Sequence, residues 1–486
     1  MIRRPGSEHP TGYTPIPPIR VHRRLSAANI LSPVELKTAD HRRLLTAATP
    51  RWENPRQRGL IIKLARITLS ALFLAAVAAG GEPTFTKDIA PILQRACQNC
   101  HRLGAIAPMP LLTYQDARPW ARSIKEKVVR REMPPWYIDR NVGITKFKGD
   151  PSLTDAEIAT IANWVDHGAP AGNAADMPPP RQFSDVDKWH IGKPDLIVSM
   201  PKPYKLKANG PDEFYDIDVD PGFTEDMYIQ AVETKPEAGS FKVVHHAGLS
   251  LIEDEEADPV GLFLNEYALG KNGDIFPENS GRLIKAGSKI HFNLHLHPDG
   301  KETPVSISLG LKLFPKGVTP KYVAFTQHMG DTNELDIPAG QVVRNDGYFR
   351  LPKPAVLSAF QPHMHNRGKA MCMEAIYPDV RADSARPGPS RVETLSCVSN
   401  YQFAWHVTYP YAEDVTPLLP AGTIIHVTSW HDNTDNNKYN PNPRNWVGYG
   451  QRTIDEMSFA WVSLFYLDEP DFQQRVAARK TLTTSE

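Results

Sequence analysis

The sequence predicts a multidomain chain, a small all-α domain followed by two all-β sandwich domains. Three observations carry that reading. Apolar residues recur at three- and four-residue spacing from Phe85 to about Gly168, after which short alternating runs take over. The 45 prolines among 486 residues are nearly twice the usual share of about 5%, which favours loop-rich β architecture over helical bundles. Between the two regimes lies a stretch of prolines and small polar residues, Pro170 and Pro178-Pro179-Pro180, that reads as a linker. The 41% apolar content supports several cores, and the length exceeds one average domain. Lys+Arg and Asp+Glu balance at 55 each, so net charge gives no reason to expect nucleic acid or acidic lipid as a partner.

In chain order, residues 1–58 are rich in Pro and Arg and lack sustained apolar periodicity. They read as a disordered extension, or as a mis-assigned start upstream of the true one. Lys63 and Arg66 precede the apolar run Ile67–Ala79, which Gly80-Gly81 follows. A basic start, a short apolar stretch and small residues make 59–80 resemble a signal peptide. At 13 residues the apolar run falls short of the roughly 20 that a membrane span needs. The expectation is an exported protein, periplasmic or extracellular, with no stable membrane span after cleavage; an uncleaved anchor is the alternative.

Residues 82–170 form the expected helical domain. A helix over Lys87–Gln98 would deliver Cys97-Gln98-Asn99-Cys100-His101. Ala117, Trp120, Ala121, Ile124 and Val128 share one helical face. Thr154-Asp155-Ala156-Glu157 is a capping box opening a helix whose apolar stripe is Ile158, Ile161, Ala162 and Val165. The Cys-x-x-Cys-His pattern reads as covalent attachment of one c-type haem. Cys97 and Cys100 would form the thioether bonds, and His101 would be an axial iron ligand. Its rival, a redox dithiol, wants a βαβ context that this stretch lacks. For the second axial position, Met133 in Met133-Pro134-Pro135-Trp136 is preferred to Met109, which lies only eight residues from His101. Haem packing would supply much of the core that so short a segment needs, as in a cytochrome c domain. Haem attachment of this kind belongs outside the cytoplasm, where Cys372 and Cys397 are free to form a disulfide.

After a linker over 171–199, alternating runs at Met227–Val232, Lys242–Ile252, Lys289–His297, Val305–Phe314, Tyr348–Pro352, Met371–Tyr377, Thr423–Ser429 and Phe459–Leu467 read as strands. They divide into sandwiches at 200–325 and 326–470, with a tail at 471–486. Histidines cluster here. His245 and His246 are adjacent, so joint metal ligation requires a bulge or a strand end. His291, His295 and His297 fall on one strand face; His291 reads as an ordinary hydrogen-bonded sheet histidine. His363 and His365 are two apart, and on a strand their side chains share a face with Cα atoms roughly 6.5–7 Å apart. Met457 stands at the start of the last strand. His328, His406, His426 and His431 read as structural or surface residues. Imidazoles alone suit zinc, copper or iron, whereas a thioether such as Met457 favours Cu(I).

Val244-His245-His246-Ala247, Leu294-His295-Leu296-His297-Pro298, Pro362-His363-Met364-His365-Asn366-Arg367-Gly368-Lys369 and Asp455-Glu456-Met457, in that order, resemble the copper type II, ascorbate-dependent monooxygenases. That family includes the peptidylglycine α-hydroxylating and dopamine β-monooxygenases. Phe85–Trp136, with its Cys-Gln-Asn-Cys-His and Met-Pro-Pro-Trp motifs, resembles the bacterial cytochrome c modules fused to such domains. The resemblance implies two jelly-roll sandwiches with one copper ion in each. His245, His246 and His295, with His297 as the alternative, would hold an electron-transfer copper. His363, His365 and Met457 would hold the oxygen-activating one. It further implies hydroxylation of a C–H bond of a small organic substrate with O2. Electrons would come through the haem, from an ascorbate-like reductant or from a redox donor protein. The rival expectation is a periplasmic haem and copper electron-transfer or copper-binding protein without oxygenase activity. In the peptide-processing branch an Arg two residues before the His-x-His pair holds the substrate carboxylate. Gln361 stands there in this chain, so the substrate does not carry over.

Overall fold

The structure is a computed structural model that describes residues 81–483 apart from 104, 106, 184–188, 238, 255–261, 272, 332 and 379–390. The expectations for 1–58 and 59–80 lie outside those residues.

Helices dominate the first part. Phe85–Ile89 runs into Ala90–Ala96, and Tyr114–Ala117, Ala121–Val129 and Asp155–Asp166 follow. Thr154 accepts from the Glu157 backbone while the Glu157 side chain accepts from the Thr154 backbone, so the expected capping box is present. Phe85, Ile89, Leu93, Ala117, Ile124, Val128, Ile161 and Trp164 close a small core over which Cys97 packs. Trp120 falls off this face and is exposed, because a 3-10 turn over Arg118–Trp120 interrupts the expected helix.

This part is not purely helical, contrary to the sequence reading. Pro134 and Pro135 cannot continue the helix, and the chain leaves as a strand, Ile138–Gly143, paired antiparallel with Val392–Val398. Tyr137, Ile138 and Phe147 are buried in the core of the second β half. Trp136 packs edge-on against Tyr409, with ring centroids 4.8 Å apart.

The rest is β-sheet around two cores, one for each expected sandwich. In the first, Glu213–Val219, Lys289–Leu296, Val244–Ile252 and Leu262–Ala268 form an antiparallel sheet in that order. Ile290, Phe292, Leu294 and Leu296 point inward and are fully buried, while His291 and Asn293 alternate to the other face. In the second, Ile138–Gly143, Val392–Val398, Gly368–Ile376, Ile424–Asp432 and Val342–Arg350 lie side by side. Cys372 and Cys397 face each other across this sheet, 4.1 Å apart at Cα, and are joined as a disulfide.

The two halves share backbone hydrogen bonds. Tyr322–Gly330, which straddles the expected boundary at 325/326, pairs with Phe459–Tyr466 on one side and runs parallel to Ser280–Ile284 on the other. The expected linker ends in a strand, since Leu196–Ser199 pairs with Ile307–Leu313. The expected tail is instead a helix, Glu469–Thr483. It carries Glu469 and Asp471 in its first turn, where the helix dipole favours acid. Phe472 buries against Phe465 and Leu467, and the Tyr322 hydroxyl donates to Asp471 at 2.8 Å. No helix among the described residues is long and apolar enough to cross a membrane.

Candidate metal centre

His246 lies opposite His295 across the sheet, yet the next pair is Leu296 with Val244. His245 is therefore an extra residue, the bulge that joint use of adjacent histidines requires. One ring nitrogen from each of His245, His246 and His295 lies within 4.8 Å of the others. The Nδ1 atoms of His245 and His246 are 3.2 Å apart. Two nitrogens on one tetrahedral metal, at bonds of about 2.0–2.1 Å, stand about 3.4 Å apart, so the spacing fits.

Asp212 orients the third ring. The Nε2 of His295 donates to Asp212 at 2.8 Å, and its buried Nδ1 has no hydrogen-bond partner. A carboxylate behind a histidine is the usual way to fix which nitrogen faces a metal. The other Asp212 oxygen accepts from Nδ1 of His297 at 2.7 Å, but the His297 side chain is 67% exposed. The structure thus brings His295 into the cluster and leaves His297 outside. Burial pulls the pKa of His245 down to about 4 and that of His246 well below the ordinary histidine value. It also lowers that of His295. The rings are neutral at physiological pH, the form that ligates metal.

His363 closes the strand Ala355–His363, whereas His365 lies beyond its end in a turn. The same-face strand geometry expected for the pair therefore does not hold. Their ring centroids nevertheless approach to 5.6 Å, because another group shapes the turn. Glu456, fully buried, accepts from the backbone N–H of His365 at 2.8 Å and of Arg367 at 2.6 Å. It also accepts from the N–H of Met457 at 3.3 Å. Burial pushes the Glu456 carboxyl up to about 7.

The Nδ1 of His365 donates to the Asp455 carbonyl at 3.1 Å, which leaves its Nε2 as the lone-pair nitrogen. The Nδ1 of His363 is buried without a partner, and its ring stacks on Phe459 at 4.7 Å. The backbone of Met457 lies near this turn, since His363 pairs with Phe459 two residues downstream of it and Glu456 accepts from the N–H groups of both His365 and Met457. Burial lowers His363 well below the ordinary value and His365 to about 4.

Two further residues belong to this region. His406, set aside in the sequence reading, is 3% exposed, and neither ring nitrogen has a hydrogen-bond partner. Gln361 is 2% exposed and donates to Glu266, while its oxygen accepts from Thr408 at 2.6 Å and Lys271 at 3.3 Å. It is committed to a polar network between the two halves.

In the helical part, the N–H groups of Cys100 and His101 both donate to the Cys97 carbonyl, which winds the motif into one tight turn. Both thiols are free. Burial pushes the Cys97 thiol up to about 12 and raises Cys100 as well. His101 donates through Nδ1 to the Met109 carbonyl at 3.1 Å, which leaves Nε2 for iron. These residues fit a covalent haem. Met133 and Met109 are both half-buried.

No protein-family model and no curated protein matches the chain. Among solved structures, it is similar over 56% of its length to the major capsid protein P2 of bacteriophage PM2, at 8% identity and a TM-score of 0.22, covering 97% of that chain. It is similar over 60% to PNGF-II, at 10% identity and a TM-score of 0.22, covering 64% of that chain. The infectious bursal disease virus VP2 subviral particle gives 8% identity and a TM-score of 0.17 over 56% of this chain and 72% of its own.

Proposed function

We propose that the chain is a copper-dependent monooxygenase that hydroxylates a C–H bond of a small organic substrate with O2. The observation that carries the reading is the convergence of His245, His246 and His295 on one point, with His245 and His365 both packed against Phe403 and His363 beside His365. Bound copper supplies one-electron redox chemistry and O2 activation, and a thioether ligand favours its reduced form. The chain's own residues prepare that chemistry. His245, His246 and His295 would hold the electron-transfer ion, with Asp212 fixing the His295 ring. His363, His365 and Met457 would hold the ion where oxygen reacts, with Glu456 holding the turn. Burial keeps these imidazoles neutral and water away. Cys97, Cys100, His101 and Met133 would hold haem c, giving the copper pair an electron source within the same chain. An ascorbate-like reductant or a redox protein would feed it from outside.

Gln361 supports a substrate other than a peptide C-terminus, since its amide is engaged with Glu266, Thr408 and Lys271. The burial of His363 and His365, at 7% and 4% exposure, favours a second reading, electron transfer without oxygenation. The test is a metal count on chain matured with haem, followed by O2 uptake across a panel of small organic substrates. Two coppers, one haem and substrate-dependent uptake are expected. Zinc in place of copper overturns the reading, and copper with no uptake for any substrate turns it to the second.

A further inference from the structure

Away from the histidines, a cavity of about 380 Å³ lies between the two β halves and the C-terminal helix. That volume falls within the range of about 300–1,000 Å³ typical of small-molecule pockets. Residues 273–279 of the first half form one wall. The strands Ala355–His363 and Phe459–Tyr466 of the second half form another, through Val356, Ser358, Ala359, Ser463 and Phe465. Arg475, Ala478 and Arg479 of the helix Glu469–Thr483 line the remaining side. Thr408, also on the wall, donates to Gln361 at 2.6 Å, two residues before His363. The cavity therefore adjoins the histidine region, but among the described residues its wall contains no histidine.

The wall is apolar at Val356, Leu418, Phe465, Phe276 and Pro410 and cationic at Arg475 and Arg479. Four residues apart on one helix, the two arginines share a face, where like charges repel. Burial and the Arg475 charge hold Arg479 below the usual arginine value. Both side chains are fixed in place. The Arg475 guanidinium lies over the rings of Tyr322 and Phe465, 5.2 and 5.7 Å from their centroids, and Arg479 donates to the Thr416 carbonyl. Acids nearby have donors of their own. Glu413 is held by Lys148 at 2.9 Å, Asp274 by Lys271 at 3.2 Å, Asp414 by Lys146 at 2.8 Å and Asp471 by Lys321 at 2.6 Å. Glu278, at the rim, is exposed. A guanidinium keeps its charge at any physiological pH and matches a carboxylate with paired N–H donors.

We infer that this cavity binds a small organic carboxylate, with Arg475 and Arg479 holding the carboxylate and Val356, Leu418 and Phe465 covering its apolar body. An anion at that point relieves the repulsion between the two guanidiniums. Its binding ties the C-terminal helix to both β halves at a place separate from the proposed metal ligands. The inference does not rest on the copper reading.

The test uses the full chain matured with haem, titrated calorimetrically with hexanoate and with hexanamide, its neutral counterpart. Hexanoate should bind saturably, and hexanamide about tenfold or more weakly, since the charge-assisted hydrogen bonds are lost. Arg475→Gln and Arg479→Gln should each weaken hexanoate by a similar factor. Ala478→Trp, at an exposed helix position, fills the cavity and keeps both arginines, so it should block binding while the chain stays folded. Amide hydrogen exchange in Glu469–Thr483 should slow when hexanoate is bound. Absence of saturable hexanoate binding overturns the inference, and so does equal affinity for hexanamide or unchanged affinity in Ala478→Trp. If the arginine variants fail to fold, Ala478→Trp decides alone. The copper count bears on the proposed function only, since hexanoate should bind chain prepared without copper.

Discussion

The buried carboxylate of Glu456 receives the backbone N–H of His365 at 2.8 Å. With Arg367 at 2.6 Å and Met457 at 3.3 Å on the same carboxylate, one side chain ties the His363–His365 turn to the segment carrying Met457. Two segments some ninety residues apart, carrying His365 and Met457, are thereby held together.

Removing that carboxylate should be costly. Glu456→Ala leaves the buried N–H groups of His365 and Arg367, and the part-buried one of Met457, without this acceptor, and each buried loss costs about 1–3 kcal/mol. We expect destabilisation on the order of 3 kcal/mol or more in urea unfolding of the metal-free chain. Copper affinity should fall at the His363/His365 site and hold at His245/His246/His295. Glu456→Gln, which retains a carbonyl oxygen, should lose less. An unfolding midpoint for Glu456→Ala equal to wild type would sink the argument.

Asp212 separates His295 from His297, the pair between which the resemblance favours His295. It orients the buried His295 and also binds the exposed His297. Loss of a carboxylate behind a ligating histidine typically costs 10–100-fold in metal affinity, so Asp212→Ala should weaken the first site by about that factor. His295→Ala should abolish the site, and His297→Ala should leave it nearly unchanged. Cu(I) competition titrations of the three variants decide the matter; equal losses from His295→Ala and His297→Ala would contradict the assignment.

The legible parts of this chain were those written in local pattern. The Thr154–Glu157 capping box follows from spacing alone, and so do the strands expected at Met227–Val232 and Lys289–His297, which run over Met227–Pro236 and Lys289–Leu296. Ala355–His363 was harder to see, because both of its faces are buried and its residues do not alternate. Ile138–Gly143 was misplaced because its partner, Val392–Val398, lies some 250 residues away and no local signal reports that pairing. Glu456 and His406 escaped for a related reason. A buried acid and an isolated histidine take their meaning from the neighbours that long-range packing brings. The helix Glu469–Thr483 was read as tail because it shows little amphipathic pattern and docks mainly through Phe472.

Glu233 gives a pH signature away from the metal residues. Burial raises its carboxyl above the usual value of 4.5, and its oxygen accepts from the Ile191 N–H at 3.1 Å. The folded state therefore holds a proton that the unfolded chain releases more readily. Its stabilising contribution is complete below the unfolded pKa and is lost as pH rises through the folded one. Glu233→Gln removes this dependence. The stability of wild type minus that of the variant should be larger at pH 5 than at pH 8 by urea unfolding. A difference that grows with pH would show the carboxyl to be stabilised as its anion.

The hydrogen bond from His101 to the Met109 carbonyl bears on which methionine faces the haem iron from the opposite side. Nδ1 of His101 reaches the Met109 carbonyl at 3.1 Å, and the Leu111 N–H donates to the His101 carbonyl at 3.0 Å. The 109–111 backbone is thus strapped behind the His101 ring, on the side of the haem that this imidazole would occupy. With Met109 so engaged, Met133, on its proline-bounded turn after Ala121–Val129, is the methionine proposed for the other axial position. A thioether ligand raises the iron potential. Met133→Leu should therefore lower the haem reduction potential and abolish the far-red absorption band of a methionine–ferric bond, whereas Met109→Leu should keep both. Covalent haem should persist in either variant, since Cys97 and Cys100 are untouched. Loss of the band in Met109→Leu alone would reverse the assignment and place the 109–111 strap across the opposite haem face.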